Sequence, residues 1–317
     1  PIDITKAVEA ARKNLKDNQE VVTFASKNPF NFYEVLQHKD ELAEQQVFGV
    51  LTRPGGDGPH PLVVGVAGSY GWGDHHHGYM ERYVAAGFAT LTLHSFASRG
   101  VRSTVGEQIS TTTAMIVFDA FMALQTLAAD PNIDARRAAI TGWSLGGGVA
   151  LFTAWRPLQQ AISPDHRFAA HLPIYPPCMV KPEVMEFTDA PVHILAGELD
   201  DWVPAQPCVD LISAMKKLGY RADITVYKGA HHSFDRDQEI QFIEHAYSFK
   251  NCSMTLEADG SVRTDDLGLA LSTPTLQKIG LGFCADRGST YGGNATARAH
   301  ASEFAVRFMR EHLRDRP

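Results

Sequence analysis

The chain has 317 residues, of which 44% are hydrophobic and 21% are charged, and its formal net charge is −7. This composition is typical of a globular protein with one large core. The sequence contains no basic block, so it favours neither nucleic acid nor an anionic membrane surface as a partner. No apolar run approaches the roughly 18 residues that a transmembrane helix needs.

Strand and helix patterns alternate along most of the chain. The predicted strands are residues 21–25, 46–52, 62–67, 88–93, 138–141, 169–175, 192–196 and 223–227. The predicted helices are residues 3–15, 112–129, 209–218 and 295–313. The continuous apolar run at 62–67 is typical of a parallel strand covered on both faces. Repeated strand-then-helix units predict an α/β fold, with a doubly wound, mostly parallel sheet of about eight strands and helices on both faces.

We expect one domain over residues 1–317, because neither repeats nor linkers interrupt this pattern. Residues 1–60 supply the N-terminal helix and the first strands. Residues 252–293 are rich in Gly, Ser, Thr and Asp and have weak periodicity, which indicates an ordered insertion before the C-terminal helix. Residues 176–190 are too few for a lid domain, so we expect an open site.

The stretch around Ser144 carries the strongest functional signal. Residues 142–146 (GWSLG) follow a buried-strand pattern and precede a helical one, which is the pattern of a nucleophile elbow. The helical pattern continues to Trp155, and Pro157 closes the segment. The turn is so tight that a side chain at Gly142 or Gly146 would collide with neighbouring backbone, and Ser144 itself is strained. The helix N-terminus beneath it favours developing negative charge. The alternative is a glycine-rich helix start with no catalytic role.

A serine hydroxyl needs a histidine to take its proton and a carboxylate to orient that histidine. The order of the three along such a chain is Ser, Asp or Glu, His, and the later two are expected at the carboxyl ends of later strands. Asp200 and Asp201 follow the strand at 192–196, and His231 and His232 follow the strand at 223–227. Spacing alone does not choose within either doublet.

Several segments together resemble the dienelactone hydrolase family of α/β-hydrolases. They are residues 95–100 (SFASRG), 142–147 (GWSLGG), 197–204 (GELDDWVP) and 229–234 (GAHHSF). The likeness runs from about residue 61 to 234 and implies the α/β-hydrolase fold and ester hydrolysis. The family's G-x-x-D pattern falls on Gly197 and Asp200, and its G-A-x-H-x-F pattern falls on His232. The resemblance therefore implies a catalytic triad of Ser144, Asp200 and His232.

The sequence departs from the family pattern in ways that bear on the substrate. Dienelactone hydrolases proper carry a cysteine at the position of Ser144, and an acidic residue at the position of Gly68. Two arginines hold their substrate carboxylate. Arg236 matches one of them, whereas the other lies near Arg99 and an ungapped alignment puts Ser98 there. The resemblance implies the fold and ester chemistry, and it does not imply dienelactone as the substrate.

The remaining site residues are predicted from the loops at the same sheet edge. For the oxyanion hole we expect the backbone amides of Leu145 and Ser69, with Tyr70 as the second choice for the latter. Arg236 binds a substrate carboxylate if the resemblance holds, and otherwise pairs with Asp235 or Asp237. A group of aromatic residues lines a cleft or packs in the core, and the sequence favours neither role: Tyr70, Trp72, Phe96, Trp143 and Trp202.

No cofactor or metal is implied. The triplet at residues 75–77 (HHH) does not predict a metal site, because adjacent histidines share no face of a helix or strand and zinc-like spacing is absent. We expect a solvated cluster or a pocket rim instead. The expected partner is a small-molecule ester. A peptidase of the prolyl oligopeptidase type would need a propeller that this length excludes, and a non-catalytic binding protein would not need all three triad positions filled.

The four cysteines predict two disulfides. Cys178 and Cys208 follow strands whose ends stand about 5 Å apart if the strands are neighbours. Cys252 and Cys284 would then close the polar insertion. Paired cysteines favour a periplasmic or secreted protein whose signal peptide has been removed before Pro1. The alternative is four buried thiols in a cytoplasmic enzyme.

Overall fold

The computed structural model describes residues 1–314. Its strands are β1 (Gln19–Lys27), β2 (Glu44–Thr52), β3 (His60–Val66), β4 (Ala89–Leu93), β5 (Ile133–Trp143), β6 (Ala170–Ile174), β7 (Val180–Pro182), β8 (Val192–Gly197), β9 (Ala222–Tyr227), β10 (Gln241–Ser248), β11 (Met254–Leu256), β12 (Val262–Thr264) and β13 (Asp286–Tyr291). Its α-helices are α1 (Thr5–Arg12), α2 (Phe32–Gln37), α3 (Asp74–Ala85), α4 (Thr113–Ala128), α5 (Leu145–Phe152), α6 (Arg156–Ile162), α7 (Ala205–Lys217), α8 (Pro274–Cys284) and α9 (Ala295–Leu313).

Eight of these strands form one sheet, in the order β1-β2-β4-β3-β5-β6-β8-β9. β2 is antiparallel to both of its neighbours, and every other neighbouring pair in this sheet is parallel. The prediction of a mostly parallel sheet of about eight strands is therefore confirmed. The carboxyl ends of β3, β5, β6, β8 and β9 meet at one edge, where ligands bind in open α/β sheets.

The sheet is covered by helices on both faces. In β3, Leu62 and Val64 pack into a core that includes side chains of α4, α5 and α7, whereas Val63 points to the opposite core with side chains of α3 and α9. The alternation follows from the two-residue period of a strand. Because both faces are buried, the strand is a continuous apolar run, as predicted from the sequence.

The helix after the elbow ends earlier than predicted. The sequence favoured one helical segment that continues to Trp155 and closes at Pro157, but α5 ends at Phe152. Pro157 instead lies in the first turn of α6. Proline is tolerated there because the first helical N–H groups have no intrahelical acceptor.

The stretch after β9 has more regular structure than its composition indicated. β10 pairs with β13, and β11 lies between β12 and β7 in a three-stranded sheet. β7, β11 and β12 each have only three residues. Strands this short show no readable periodicity, which explains why the sequence predicted only an ordered insertion here. A third apolar cluster, which includes Met254, Leu271 and Leu281, packs this stretch against Trp202.

Two disulfides hold the loops beside the site. Cys178 is bonded to Cys208 with a Cα–Cα distance of 5.1 Å, and Cys252 to Cys284 with a Cα–Cα distance of 4.9 Å. These are the pairs expected from the sequence. The first joins the loop after β6 to the start of α7, the helix that follows β8, and β6 and β8 are neighbours in the sheet. Within residues 1–314, no helix combines the length and the apolar character needed to cross a membrane.

The disulfides predict the thiol content of the protein. Unreduced protein in guanidinium should give no reactive thiol on titration with a disulfide reagent, and reduced protein should give four, since all four cysteines are paired. Replacing Cys252 and Cys284 together by serine should lower the free energy of unfolding by about 3 to 4 kcal/mol, because the bond closes a long loop. Four reactive thiols before reduction would contradict both pairings.

Candidate active site

Ser144 lies at a sharp turn between β5 and α5. Its backbone angles are φ 55° and ψ −113°, a conformation that L-residues rarely adopt. A Cβ atom at Gly142 would lie 2.1 Å from the carbonyl oxygen of Gly146, and a Cβ atom at Gly146 would lie 2.0 Å from that of Val66. Both glycines are therefore required by backbone packing, and the turn holds the half-buried Ser144 side chain at the carboxyl edge of the sheet.

His232 joins Ser144 to Asp200. Its Nε2 atom lies 3.0 Å from the Ser144 hydroxyl, and its Nδ1 atom lies 2.7 Å from Asp200 Oδ2. Both partners of Ser144 are buried, with exposed fractions of 4% for His232 and 6% for Asp200. The three side chains come from the carboxyl ends of β5, β8 and β9, in the chain order expected for a serine triad.

The loops after β8 and β9 pack closely around the hydrogen bonds that join Ser144, His232 and Asp200. Backbone N–H groups of Trp202 and Val203 donate to Asp200 Oδ1 at 3.0 and 2.9 Å, which fixes the orientation of the carboxylate. A Cβ atom at Gly197 would lie 2.6 Å from the carbonyl oxygen of Ala230. The glycine of the G-x-x-D pattern thus lets the two loops approach each other.

The other two members of the doublets have different surroundings. Asp201 Oδ1 accepts a hydrogen bond from the backbone N–H of Thr290 at 2.8 Å, and its carbonyl oxygen accepts one from the Ser248 hydroxyl. Asp201 therefore ties the loop after β8 to β10 and β13. His231 is half-buried, and its Nδ1 atom has no hydrogen-bond partner within residues 1–314.

The loop after β3 lies directly beside Ser144. A Cβ atom at Gly68 would lie 3.6 Å from Ser144 Cβ. The next residue, Ser69, is held by Gln108, whose side-chain amide donates to the Ser69 hydroxyl at 3.0 Å. Leu145 is the first residue of α5, so its N–H has no intrahelical acceptor. Ser69 and Leu145, the two residues predicted for an oxyanion hole, thus line a cavity that Ser144 also lines.

Two aromatic rings pack on the His232 imidazole. The ring centroid of Trp202 lies 4.9 Å from that of His232, and the centroid of Tyr175 lies at 4.8 Å. The Tyr175 hydroxyl donates to the buried carboxylate of Asp235 at 2.8 Å. Burial and this neighbouring carboxylate raise the pKa of Tyr175 well above its usual value, so the phenol stays protonated. Sequence reasoning missed Tyr175, although it follows β6 at the same sheet edge.

The other predicted aromatic residues divide between rim and core. Tyr70 is 40% exposed, and its ring meets that of Trp202 edge-on at 6.2 Å. The side chain of Trp143 is fully buried and packs against the rings of Trp72 and Tyr79, and it also lines the small cavity beside Ser144. Phe96 lines a separate cavity on the far side of the loop after β3.

The histidine triplet lies in the first turn of α3. Of the two expectations, a solvated position describes the exposed His77, and a pocket position describes His76, which is buried and lines a cavity beside Ser144. Burial lowers the pKa of His75 to about 4 and the pKa of His76 well below its usual value, so both are neutral near pH 7. Among residues 1–314 no group of three or more metal-ligating side chains is placed to hold an ion.

Ser144 borders two cavities, which we call the apolar and the polar cavity. The apolar cavity has a volume of about 190 Å³ and is lined mainly by carbon, with Phe32, Met254 and Leu281 among its walls. The polar cavity is far smaller, about 20 Å³, and is lined by His232, Arg236 and Tyr291 among others. Residues of the stretch after β10 thus form part of the walls of the site.

The two arginines suggested by the resemblance have different environments. Arg99 is buried and donates to both carboxylate oxygens of Asp119, at 2.7 and 3.0 Å, so it does not face the site. Ser98, which the ungapped alignment puts at the position of the family's second arginine, is also buried. Its hydroxyl donates to the carbonyl oxygen of His94. Arg236 borders the polar cavity, where its guanidinium lies 5.1 Å from the Tyr291 ring centroid.

The part of the chain that carries this site matches the model of a protein family. A model of the dienelactone hydrolase family matches residues 47–255, about two thirds of the chain. The chain belongs to the dienelactone hydrolase family. It is therefore a hydrolase that acts on ester bonds. The matched region contains Ser144, Asp200 and His232, and it leaves out the first strand, α8 and α9.

Solved structures of the family's fold resemble the chain at low sequence identity. A dienelactone hydrolase-like promiscuous phosphotriesterase from metagenomic libraries is 16% identical, with a TM-score of 0.58 over 94% of this chain and 100% of that one. Esterase 2 of Thermogutta terrifontis, phosphoramylated by tabun, is 18% identical, with a TM-score of 0.51 over 70% of this chain and 87% of that one. At these identities the likeness shows the fold alone. No curated protein sequence matches the chain.

The elbow packing predicts opposite results for two glycines of one helix. Gly146→Ala should prevent folding or strongly lower the melting temperature, because the new Cβ atom would lie 2.0 Å from a backbone carbonyl oxygen. Gly148→Ala should fold with a melting temperature close to that of the parent, because its nearest neighbour is the Pro177 ring at 3.2 Å and alanine favours the helix. Thermal denaturation followed by circular dichroism measures both, and equal melting temperatures would refute this account of the elbow.

Proposed function

We propose that the protein is a serine carboxylester hydrolase that works through an acyl-enzyme. The observation that carries the proposal is the position of His232, within hydrogen-bond distance of both the Ser144 hydroxyl and the Asp200 carboxylate. A triad is recognised by this geometry and not by sequence position. The family's hydrolase chemistry supports the same conclusion, and the substrate would be a small-molecule ester.

In this mechanism His232 acts as the general base and then as the general acid. With its Nδ1–H donated to Asp200, the Nε2 atom carries the lone pair that accepts the Ser144 proton. The Asp200 carboxylate, held by two backbone N–H groups, fixes this tautomer and stabilises the imidazolium that forms. Ser144 attacks the ester carbonyl, His232 protonates the leaving alcohol, and water then releases the acid with His232 again as base.

The negative charge of the tetrahedral intermediate would be held by backbone amides. Leu145 N–H lies at the start of α5, where the helix dipole adds positive potential. Ser69 N–H supplies the second donor from the loop after β3. Removing one donor of such a pair typically lowers kcat by 10²- to 10³-fold, as an order-of-magnitude figure. Gln108 has a positioning role here, since its side chain holds Ser69.

The proposal includes an oxidising cellular location for the enzyme. Two disulfides persist in an oxidising compartment, so the pairs Cys178–Cys208 and Cys252–Cys284 favour a periplasmic or secreted enzyme. Fractionation of the natural source, with the enzyme detected by an antibody, tests this location directly.

The doublets allow a matched test of the triad. Ser144→Ala, Asp200→Asn and His232→Ala should each lower kcat for a p-nitrophenyl ester by roughly 10³-fold or more, because each removes a member of one catalytic unit. Asp201→Asn should keep most of the turnover, since an amide oxygen still accepts the hydrogen bond from Thr290. His231→Ala is the control for His232. If His231→Ala proved inactive and His232→Ala active, the assignment would be shifted by one residue.

Arg236 is proposed to recognise a carboxylate on the substrate. Of the nearby acids, Asp237 pairs with Arg298 at 3.2 Å and Asp235 accepts from Tyr175, and within residues 1–314 no ion pair joins Arg236 to either one. Its Nε atom donates to the Ser233 hydroxyl at 2.8 Å, which aims the guanidinium at the polar cavity.

Arg236→Ala should raise KM for a half-ester of a dicarboxylic acid and leave KM for the matching neutral diester within about twofold. The charge-assisted bonds to a carboxylate are worth about 1.5 to 3 kcal/mol, or roughly 10- to 100-fold in affinity. Steady-state kinetics on the two esters measures the difference. An equal change for both esters would leave Arg236 with a structural role only.

A further inference from the structure

The two cavities beside Ser144 differ in which catalytic groups they touch. Among the described residues that line the apolar cavity are Ser144, Leu145 and Ser69, and His232 is not one of them. The polar cavity borders both Ser144 and His232. Ser69, Ser144 and Trp202 line both cavities. The nucleophile therefore faces two separate spaces, and the general acid faces only the small one.

This arrangement determines which half of an ester enters which cavity. The leaving oxygen must receive its proton from His232 Nε2, so the alcohol half lies on the His232 side. The oxyanion points to the amides of Ser69 and Leu145. The acyl chain is the one substituent of the tetrahedral carbon that remains, and the apolar cavity is the space left for it.

We propose that the apolar cavity is an acyl-binding pocket and that the enzyme prefers esters of apolar acids of about six carbons or one aromatic ring. This inference rests on the proposed function. The size estimate follows from volume: a cavity of about 150 Å³ lined by apolar side chains holds benzene, and the apolar cavity here has about 190 Å³. Acetyl esters leave most of this space empty, and long fatty acyl chains exceed it.

Part of the pocket wall comes from outside the region that the family model matches. Phe30 and Phe32 precede residue 47, and Leu271 and Leu281 follow residue 255. These additional segments thus contribute apolar side chains to a pocket whose remaining walls belong to the matched region.

A disulfide and a hydrogen bond hold this wall of the pocket in place. The Cys252–Cys284 bond joins the segment that carries Met254 to the end of α8, which carries Leu281. The Gln277 side chain on the same helix donates to the carbonyl oxygen of Gln108 at 2.8 Å, and the Gln108 side chain holds Ser69. Gln108 thus connects the pocket wall to the loop after β3 that carries Ser69.

Two isomeric substrates test the orientation directly. Ethyl hexanoate and hexyl acetate have the same composition, but the six-carbon chain is on the acyl side in the first and on the alcohol side in the second. We expect kcat/KM for ethyl hexanoate to be at least tenfold higher, because burial of each methylene contributes a factor of up to about four. Release of acid in a pH-stat measures both rates. A faster reaction with hexyl acetate would overturn the assignment.

Substitutions on α8 test the pocket wall. Leu281→Trp adds bulk inside the cavity and should lower the ratio of kcat/KM for p-nitrophenyl hexanoate to that for p-nitrophenyl acetate at least tenfold. Ile279→Trp is the matched control, because Ile279 lies on the same helix, is 45% exposed and does not line the cavity. Its ratio should equal that of the parent. An equal ratio in both variants would also overturn the proposal.

The outcome is separable from failure of the proposed function and from misfolding. If the parent hydrolyses none of these esters, the serine esterase proposal itself fails. If it hydrolyses them with a preference for acetate, only the acyl pocket is refuted. Should Leu281→Trp not fold by circular dichroism, Gln277→Trp adds bulk at a half-buried position of the same wall and should lower the same ratio.

Discussion

The strained turn at Ser144 is the constraint on which the rest of the site depends. Its φ of 55° is unfavourable for serine, and it persists because β5 and α5 are packed so closely that only glycine fits at 142 and 146. The hydrogen bond from Ser144 N–H to the Ile174 carbonyl oxygen, at 2.9 Å, fixes the turn to the neighbouring strand. The sheet thus over-determines a conformation that an isolated peptide would avoid.

The same edge of the sheet supplies the other groups, and Tyr175 and Ser233 there also have positive φ angles, of 37° and 58°. Parallel strands end together, so the loops after β6, β8 and β9 meet around Ser144. Gly197 allows the loop of Asp200 to touch the loop of His232, and Tyr175 and Trp202 pack on the imidazole from two directions. A histidine held in this way loses little freedom on substrate binding, which is the condition for efficient proton transfer.

The sequence predicted most of the sheet and the residues that meet at its edge, because both depend on short-range patterns. The run at 62–67 and the elbow at 142–146 are readable from a few adjacent residues. The choice between Asp200 and Asp201 was not readable from spacing and required the resemblance. In the structure Asp200 bonds to His232, whereas Asp201 holds β13, a strand far along the chain.

Features that depend on distant contacts were not predictable in this way. The apolar cavity joins Phe32 to Leu281, and no local pattern links residues so far apart. The three-residue strands of the insertion are too short to show a period, so its role as a wall was missed. The buried pair of Arg99 and Asp119 likewise removes from the site an arginine that the resemblance had placed near it.

Covalent labelling tests the central claim, that Ser144 is an activated nucleophile, most directly. Diethyl p-nitrophenyl phosphate should release one equivalent of p-nitrophenol and leave one diethyl phosphoryl group on the peptide that contains Ser144, as identified by mass spectrometry. His232→Ala should react far more slowly, since the base is missing. An unlabelled Ser144, or a label on another residue with activity lost in parallel, would contradict the account.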